Sequence, residues 1–155
     1  MTADKLLLLQ EELSNLEKAA EHLRHSLDRT RNLFPVKNFQ SDELERMEAL
    51  ASRFARLSDL LTQRVMRLVD DLELTPTNTL LDRIHRAEKR GWVDDSMQLI
   101  QIRELRNLIA HAYAADKMGG IYTAVASLTP TLLAVVPKVM AYARELGNTY
   151  PVRRT

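Results

Sequence analysis

The sequence predicts an all-α protein, an up-and-down bundle of four to five helices. In two long segments the apolar residues recur at alternating steps of three and four, which is the repeat of one helix face. No segment shows the strict alternation that marks a half-buried strand. With only four glycines and five prolines in 155 residues, few positions force a helix to break.

The first two predicted helices are the longest. Leucines and alanines over 6–27 form one stripe, and this helix must end before Pro35, which has no amide donor and restricts the residue before it. Ser41 is a suitable N-cap for the second helix, whose stripe extends over 44–72. We expect the two helices to pair antiparallel.

Two shorter helices follow in the sequence. The third covers 80–87 and should stop at Gly91, with Trp92 packed beneath the turn. Asp94 or Asp95 can then cap the fourth helix, since a carboxylate accepts hydrogen bonds from the first amides of a helix. This fourth helix carries the most informative part of the sequence.

The last predicted helix is separated from the fourth by a glycine pair. Gly119 and Gly120 are expected to close a loop, so that the fifth helix begins near Ile121. Pro130 and Pro137 should start or kink segments of this helix, because proline removes a backbone hydrogen bond.

Length and composition limit the class of protein. The chain suits one domain over 1–150 with a disordered tail over 151–155. The lack of cysteine and of a signal-peptide pattern favours a cytoplasmic protein, and no apolar run approaches the ~20 residues that cross a bilayer. A formal net charge of +1 excludes a polybasic nucleic-acid wrapper, so any nucleic-acid contact must be local.

A regular helix turns by about 100° per residue, which places four polar residues of the fourth helix on one side of it, in a single arc: Arg106, Asn107, His111 and Tyr113. Ala110 lies in the middle of this arc, while Leu105 and Ile109 point the opposite way. A small residue amid polar ones predicts a shallow pocket floor, with Arg and Tyr on one wall and Asn and His on the other.

Such a face suits phosphodiester chemistry without a metal or a cofactor. An arginine fork binds phosphate oxygens, and an imidazole moves protons near neutral pH. One His111 cannot easily serve as base and acid in one step, so a two-fold homodimer that supplies a second imidazole is expected. Leu99 and Ile100 are the candidates for an apolar dimer seam.

The segment from Arg106 to Tyr113 reads RNLIAHAY and resembles the Arg-x4-His-x-Tyr signature of HepT-like proteins, a branch of the HEPN superfamily. The resemblance includes the polar Asn107 after the arginine and implies a HEPN-like homodimer. It also implies the toxin of a type VII toxin–antitoxin pair, a metal-independent endoribonuclease acting on RNA. His111 would assist attack by the ribose 2′-hydroxyl, and Arg106 would stabilise the phosphorane-like transition state.

The same resemblance implies a partner. A minimal nucleotidyltransferase antitoxin would adenylylate Tyr113 and so place a phosphate beside Arg106 that blocks substrate. The alternative is a non-catalytic subunit that binds or regulates a nucleotidyltransferase, since some HEPN domains only bind nucleotides or partners. A purely structural helical module is the third possibility.

Other histidines and arginines are expected on solvated faces. His22 and His25 are three residues apart but have no further obvious metal ligands. The basic stretch around His85, over 83–90, contains acidic residues that dilute its charge. Arg53 and Arg56 of the second helix could face a groove.

Overall fold

Helices form almost all of the part of the chain that the computed structural model describes, residues 2–35, 38–75, 79–111 and 115–149. The predicted all-α class is confirmed for these ranges, which contain no strand. The predicted tail, 151–155, and Tyr113 lie outside them. The helices are α1 (Thr2–Thr30), α2 (Ser41–Asp59), α3 (Met66–Leu72), α4 (Leu80–Lys89), α5 (Ser96–His111) and α6 (Ala115–Thr149), with a 3₁₀ turn at Arg31–Leu33.

The predicted second helix is continuous from α2 through a π-helical insertion to α3, and we call this unit the rod. Leu60–Val65 connects α2 to α3, and the Met66 amide donates to the Leu61 carbonyl, five residues back. A π turn adds a residue without ending the helix, so the apolar residues on both sides of it still reach the core. At the N-terminus of α2, Gln40 rather than Ser41 is the cap residue. The backbone amide of Gln40 donates a hydrogen bond to Glu43 Oε1 at 2.9 Å.

The core lies where α1 and the rod meet α5 and α6. The leucine stripe of α1 is buried as predicted, and α2 contributes Phe54 at 0 % exposure. The α1–α2 interface is the most extensive in the described chain, which agrees with the expected pairing of the first two helices.

The turn after α4 follows the sequence prediction. Gly91 has a φ of 79°, which an L side chain rarely adopts. Trp92 packs beneath the turn, where its ring is nearly perpendicular to that of Tyr142 and the two ring centroids are 5.3 Å apart. Asp95 is the cap of α5, because its Oδ1 accepts from the Met97 amide at 2.9 Å.

The predicted loop at the glycine pair is wrong. Helix α6 begins at Ala115 and passes through Gly119, Gly120, Pro130 and Pro137. Both prolines lie on the exposed side of α6, while the opposite face of the helix is buried. Packing of that face outweighs the intrinsic cost of helical glycine, about 1 kcal/mol each.

The expectation that no apolar run approaches the length needed to cross a bilayer is wrong: helix α6 is long and apolar enough over Met118–Thr149, judged by length and composition alone. In this structure 39 % of its most apolar window is buried within the bundle, where it packs against α1, α2 and α5. The core helix of a bundle can pass the same test.

The basic stretch of α4 is not the solvated face that its charge pattern predicts. Asp70, fully buried on α3, accepts hydrogen bonds from Arg86 at 3.1 Å and Arg90 at 2.7 Å. Arg83 is also buried and donates to the Thr62 carbonyl at 2.9 Å, and desolvation by burial lowers its pKa. His85 is exposed, as expected.

Candidate functional site

The candidate site occupies the last two turns of α5. Three of the four predicted residues are described there, namely Arg106, Asn107 and His111, which is the final residue of the helix. Leu105 anchors this end of α5 because it is buried in the core, and Ile109 is half-buried beside it. The side of α5 that carries Leu105 and Ile109 therefore faces the core, as the sequence predicts.

Arg106 is held by a carboxylate from the neighbouring rod. Its Nε donates to Asp59 Oδ1 and its Nη2 to Asp59 Oδ2, both at 2.8 Å, which is the bidentate geometry of a strong charge-assisted pair. These hydrogen bonds raise the pKa of Arg106 above its ordinary value, so the guanidinium stays charged. Arg103, one turn earlier, reaches the same Oδ1 at 3.4 Å.

The Asp59 carboxylate is the site residue that the sequence reasoning missed. Asp59 ends α2 immediately before the π-helical insertion, and it lies 47 residues from Arg106 in the chain. π insertions occur often at functional sites, and here one begins directly after a residue that orients the candidate arginine. The available signal was weak: Asp59 is the first acidic residue after Glu48.

The arc around Ala110 is divided between two environments. Ala110, Asn107 and His111 are exposed, whereas the Arg106 side chain is only 28 % exposed because it turns toward α2. The predicted pocket walls are thus corrected on one side: Arg106 belongs to the α2–α5 junction, and Asn107 and His111 face solvent.

The predicted dimer seam is wrong at Leu99. Leu99 has 0 % exposure and belongs to the core, and Ile100 is half-buried against it. The exposed stripe of α5 instead contains Met97, Gln101, Glu104, Leu108 and His111. Two of these are large apolar side chains, Met97 at 51 % and Leu108 at 55 % exposure.

The arrangement offers two chemical groups at one end of a helix. A guanidinium has five N–H donors, and the pair with Asp59 uses two of those of Arg106, which leaves three for a phosphate group. The exposed imidazole of His111 is accessible to a substrate. Within the described residues no group of three or more His, Asp or Glu side chains is placed to hold a metal ion.

Comparisons with family models, with curated proteins and with solved structures found no match to this chain.

Proposed function

We propose that this protein is a HepT-like, metal-independent endoribonuclease toxin that acts on RNA. The observation that carries the proposal is the end of α5, where a charged Arg106 is fixed by Asp59 and an exposed His111 follows five residues later. A fixed arginine can stabilise the charge that develops on a phosphodiester, and an accessible imidazole can transfer the protons.

The proposed reaction is attack of a ribose 2′-oxygen on the adjacent phosphorus. The bond from phosphorus to the 5′-oxygen of the next nucleotide breaks, which leaves a 2′,3′-cyclic phosphate and a free 5′-hydroxyl. One His111 takes the proton of the 2′-hydroxyl, and the imidazole of a second copy gives a proton to the leaving oxygen. Arg106 donates to the oxygens on which negative charge increases, and Asn107 supports substrate contacts beside it.

Comparing RNA and DNA in the presence of EDTA tests the proposal. The purified chain should cleave a single-stranded RNA and spare the DNA of the same sequence, because DNA lacks the 2′-hydroxyl. Cleavage of the DNA as well as the RNA, or RNA cleavage that EDTA abolishes, would contradict the proposed chemistry.

A homodimer is part of the proposal because each chain supplies one His111. The exposed stripe of α5 is a self-complementary candidate interface: Met97 and Leu108 supply apolar area, and His111 lies on the same stripe. A two-fold axis that passes close to Leu108 would bring the two imidazoles together, because His111 lies one helical turn from Leu108.

We expect Leu108→Glu to convert the dimer into a monomer and to abolish RNA cleavage, because apposed carboxylates repel and desolvate poorly. Sedimentation velocity and a cleavage assay measure both effects. The matched control is Leu81→Glu on α4, where the leucine is similarly exposed at 50 %. A fully active Leu108→Glu monomer would exclude the shared site.

Asp59 should act as a positioning residue for Arg106. We expect Asp59→Asn to lower kcat by roughly 10–100-fold, since the amide cannot hold both guanidinium nitrogens and small misplacements of a reacting group are costly. KM should change less than kcat, because the substitution removes a negative charge near the bound polyanion while Arg106 stays charged. Asp59→Glu should restore part of kcat, and a purely structural role would predict no such rescue.

The proposed partner is a minimal nucleotidyltransferase that adenylylates Tyr113, a residue outside the described part of the chain. Intact-mass measurement after co-expression should show one added adenylate on the wild type and none on Tyr113→Phe.

The alternative function is a non-catalytic subunit that binds or regulates a nucleotidyltransferase. The ion pair between Asp59 and Arg106 favours this alternative, because Asp59 already neutralises the charge of Arg106 within the chain. A stable complex with such a partner, combined with RNA that stays intact under all conditions, would support this alternative over the ribonuclease.

A further inference from the structure

A polar cleft lies between the end of α1 and the first half of α2. Its volume is about 340 Å³, and it is lined by Arg29 from α1 and by Arg46 and Arg53 from α2. Arg46 is paired with Asp42 at 3.2 Å, so it adds little net charge. Arg29 and Arg53 outnumber the remaining lining carboxylate, Glu45, so the cleft has a small excess of positive charge.

Arg53 is held in place without being neutralised. Its Nη1 donates to Ser26 Oγ at 2.8 Å and to the His22 carbonyl at 3.1 Å, and both acceptors are uncharged. The remaining N–H donors of the guanidinium can bind an anion, and the planar fork of arginine suits phosphate. A fixed guanidinium also loses less conformational entropy on binding than a free one.

From the cleft toward the C-terminal end of α2, the helix carries no acidic residue until Asp59, which pairs with Arg106 of α5. The ten residues over 49–58 include no acidic residue, and Arg56 is exposed beside the small Ser52. Arg53, Arg56 and Asp59 follow each other at steps of three, which places neighbouring Cβ atoms about 5–6 Å apart along one row of the helix surface.

The last member of this row, Asp59, holds Arg106. The acidic lining residues Asp42 and Glu45 come earlier in α2, at the end of the cleft from which the row leads away. The arginines therefore mark one direction, from the cleft toward the candidate active site.

We propose that Arg29, Arg53 and Arg56 form a phosphate-binding track that guides the backbone of a single-stranded nucleic acid to Arg106. The role of the track in delivering a substrate rests on the proposed function, whereas its binding of a strand does not. A positively charged groove follows the backbone of a bound single strand, and three arginines can form such a path locally in a chain whose net charge is only +1.

The salt dependence of binding tests the track. The probe is a single-stranded 12-nucleotide DNA, which shares the phosphates of RNA and offers no 2′-hydroxyl for cleavage. For a single strand, each phosphate contact contributes about 0.7 to the slope of log Kd against log salt concentration. Arg29→Gln, Arg53→Gln and Arg56→Gln should each reduce that slope by about 0.7.

The control is Arg24→Gln, an exposed arginine on α1 that is paired with Glu21 and does not line the cleft. Its slope should equal that of the wild type. Because Arg53 also joins α1 to α2, the surface variants Arg29→Gln and Arg56→Gln decide the result. Unchanged slopes in both, or an equal reduction in Arg24→Gln, would overturn the track.

RNA cleavage by the same proteins separates the two proposals. If the wild type binds the DNA with an arginine-dependent slope but leaves RNA intact, the track stands and the ribonuclease proposal fails. If the wild type cleaves RNA while both surface variants keep its slope, the ribonuclease stands and the track fails.

Discussion

His111→Ala should lower the rate of RNA cleavage by about 10²–10⁴-fold, which is the usual contribution of a positioned acid or base. The imidazole is exposed at the end of α5 and forms no hydrogen bond with another described residue, so its removal should leave the fold intact. Single-turnover cleavage of a labelled RNA, together with a thermal melt, measures both effects.

The matched control for this variant is His85→Ala, which removes an exposed imidazole from α4. Its cleavage rate should equal that of the wild type. A His111→Ala protein that cleaves RNA within threefold of the wild-type rate would remove His111 from the mechanism.

Asp70→Asn should cost about 3–5 kcal/mol of unfolding free energy, because it leaves two arginines facing a neutral amide in a buried position. Asp70 has no exposed side-chain surface, and the side chains of Arg86 and Arg90 are only 21 % and 11 % exposed. Arg90 also contacts Glu73 at 3.1 Å and lies over the Trp92 ring. The loss should therefore loosen α4 from the rod and lower Tm by roughly 10 °C.

The contrasting variant is Asp42→Asn, which breaks the pair with Arg46 on the surface of α2. The Asp42 side chain is 69 % exposed, and surface pairs of this kind contribute little stability. Urea denaturation of both variants should show a large fall in midpoint for Asp70→Asn alone. Equal midpoints would mean that the buried cluster does not hold α4 in place.

The features of the fold that depend on local pattern were predictable from the sequence. The three-four spacing identified α1 and the rod, and Trp92 was placed correctly beneath the turn at Gly91. The pair Asp94 and Asp95 marked the start of α5, although only the structure shows that Asp95 is the cap. The loop predicted at Gly119 and Gly120 was wrong because tertiary packing of α6 outweighs the low helix propensity of glycine.

The features that depend on distant partners were not predictable in the same way. Arg106 and its motif are readable in the sequence, but Asp59 lies 47 residues away and shares no local pattern with it. The π-helical insertion has no composition of its own that distinguishes it from α2, and the burial of Asp70 follows only from where α3 meets α4. Side-chain pairs between different helices, such as Asp59 with Arg106, depend on how the helices pack against each other.

The chemical ends of the cleaved RNA test the central claim most directly. Mass spectrometry of a short RNA digested in EDTA should show a 2′,3′-cyclic phosphate on one fragment and a 5′-hydroxyl on the other, because the ribose 2′-oxygen is the proposed nucleophile. These products should disappear with His111→Ala and with Arg106→Ala. Fragments that carry a 5′-phosphate and a 3′-hydroxyl would show that water, not the ribose, attacks phosphorus, and would contradict the account.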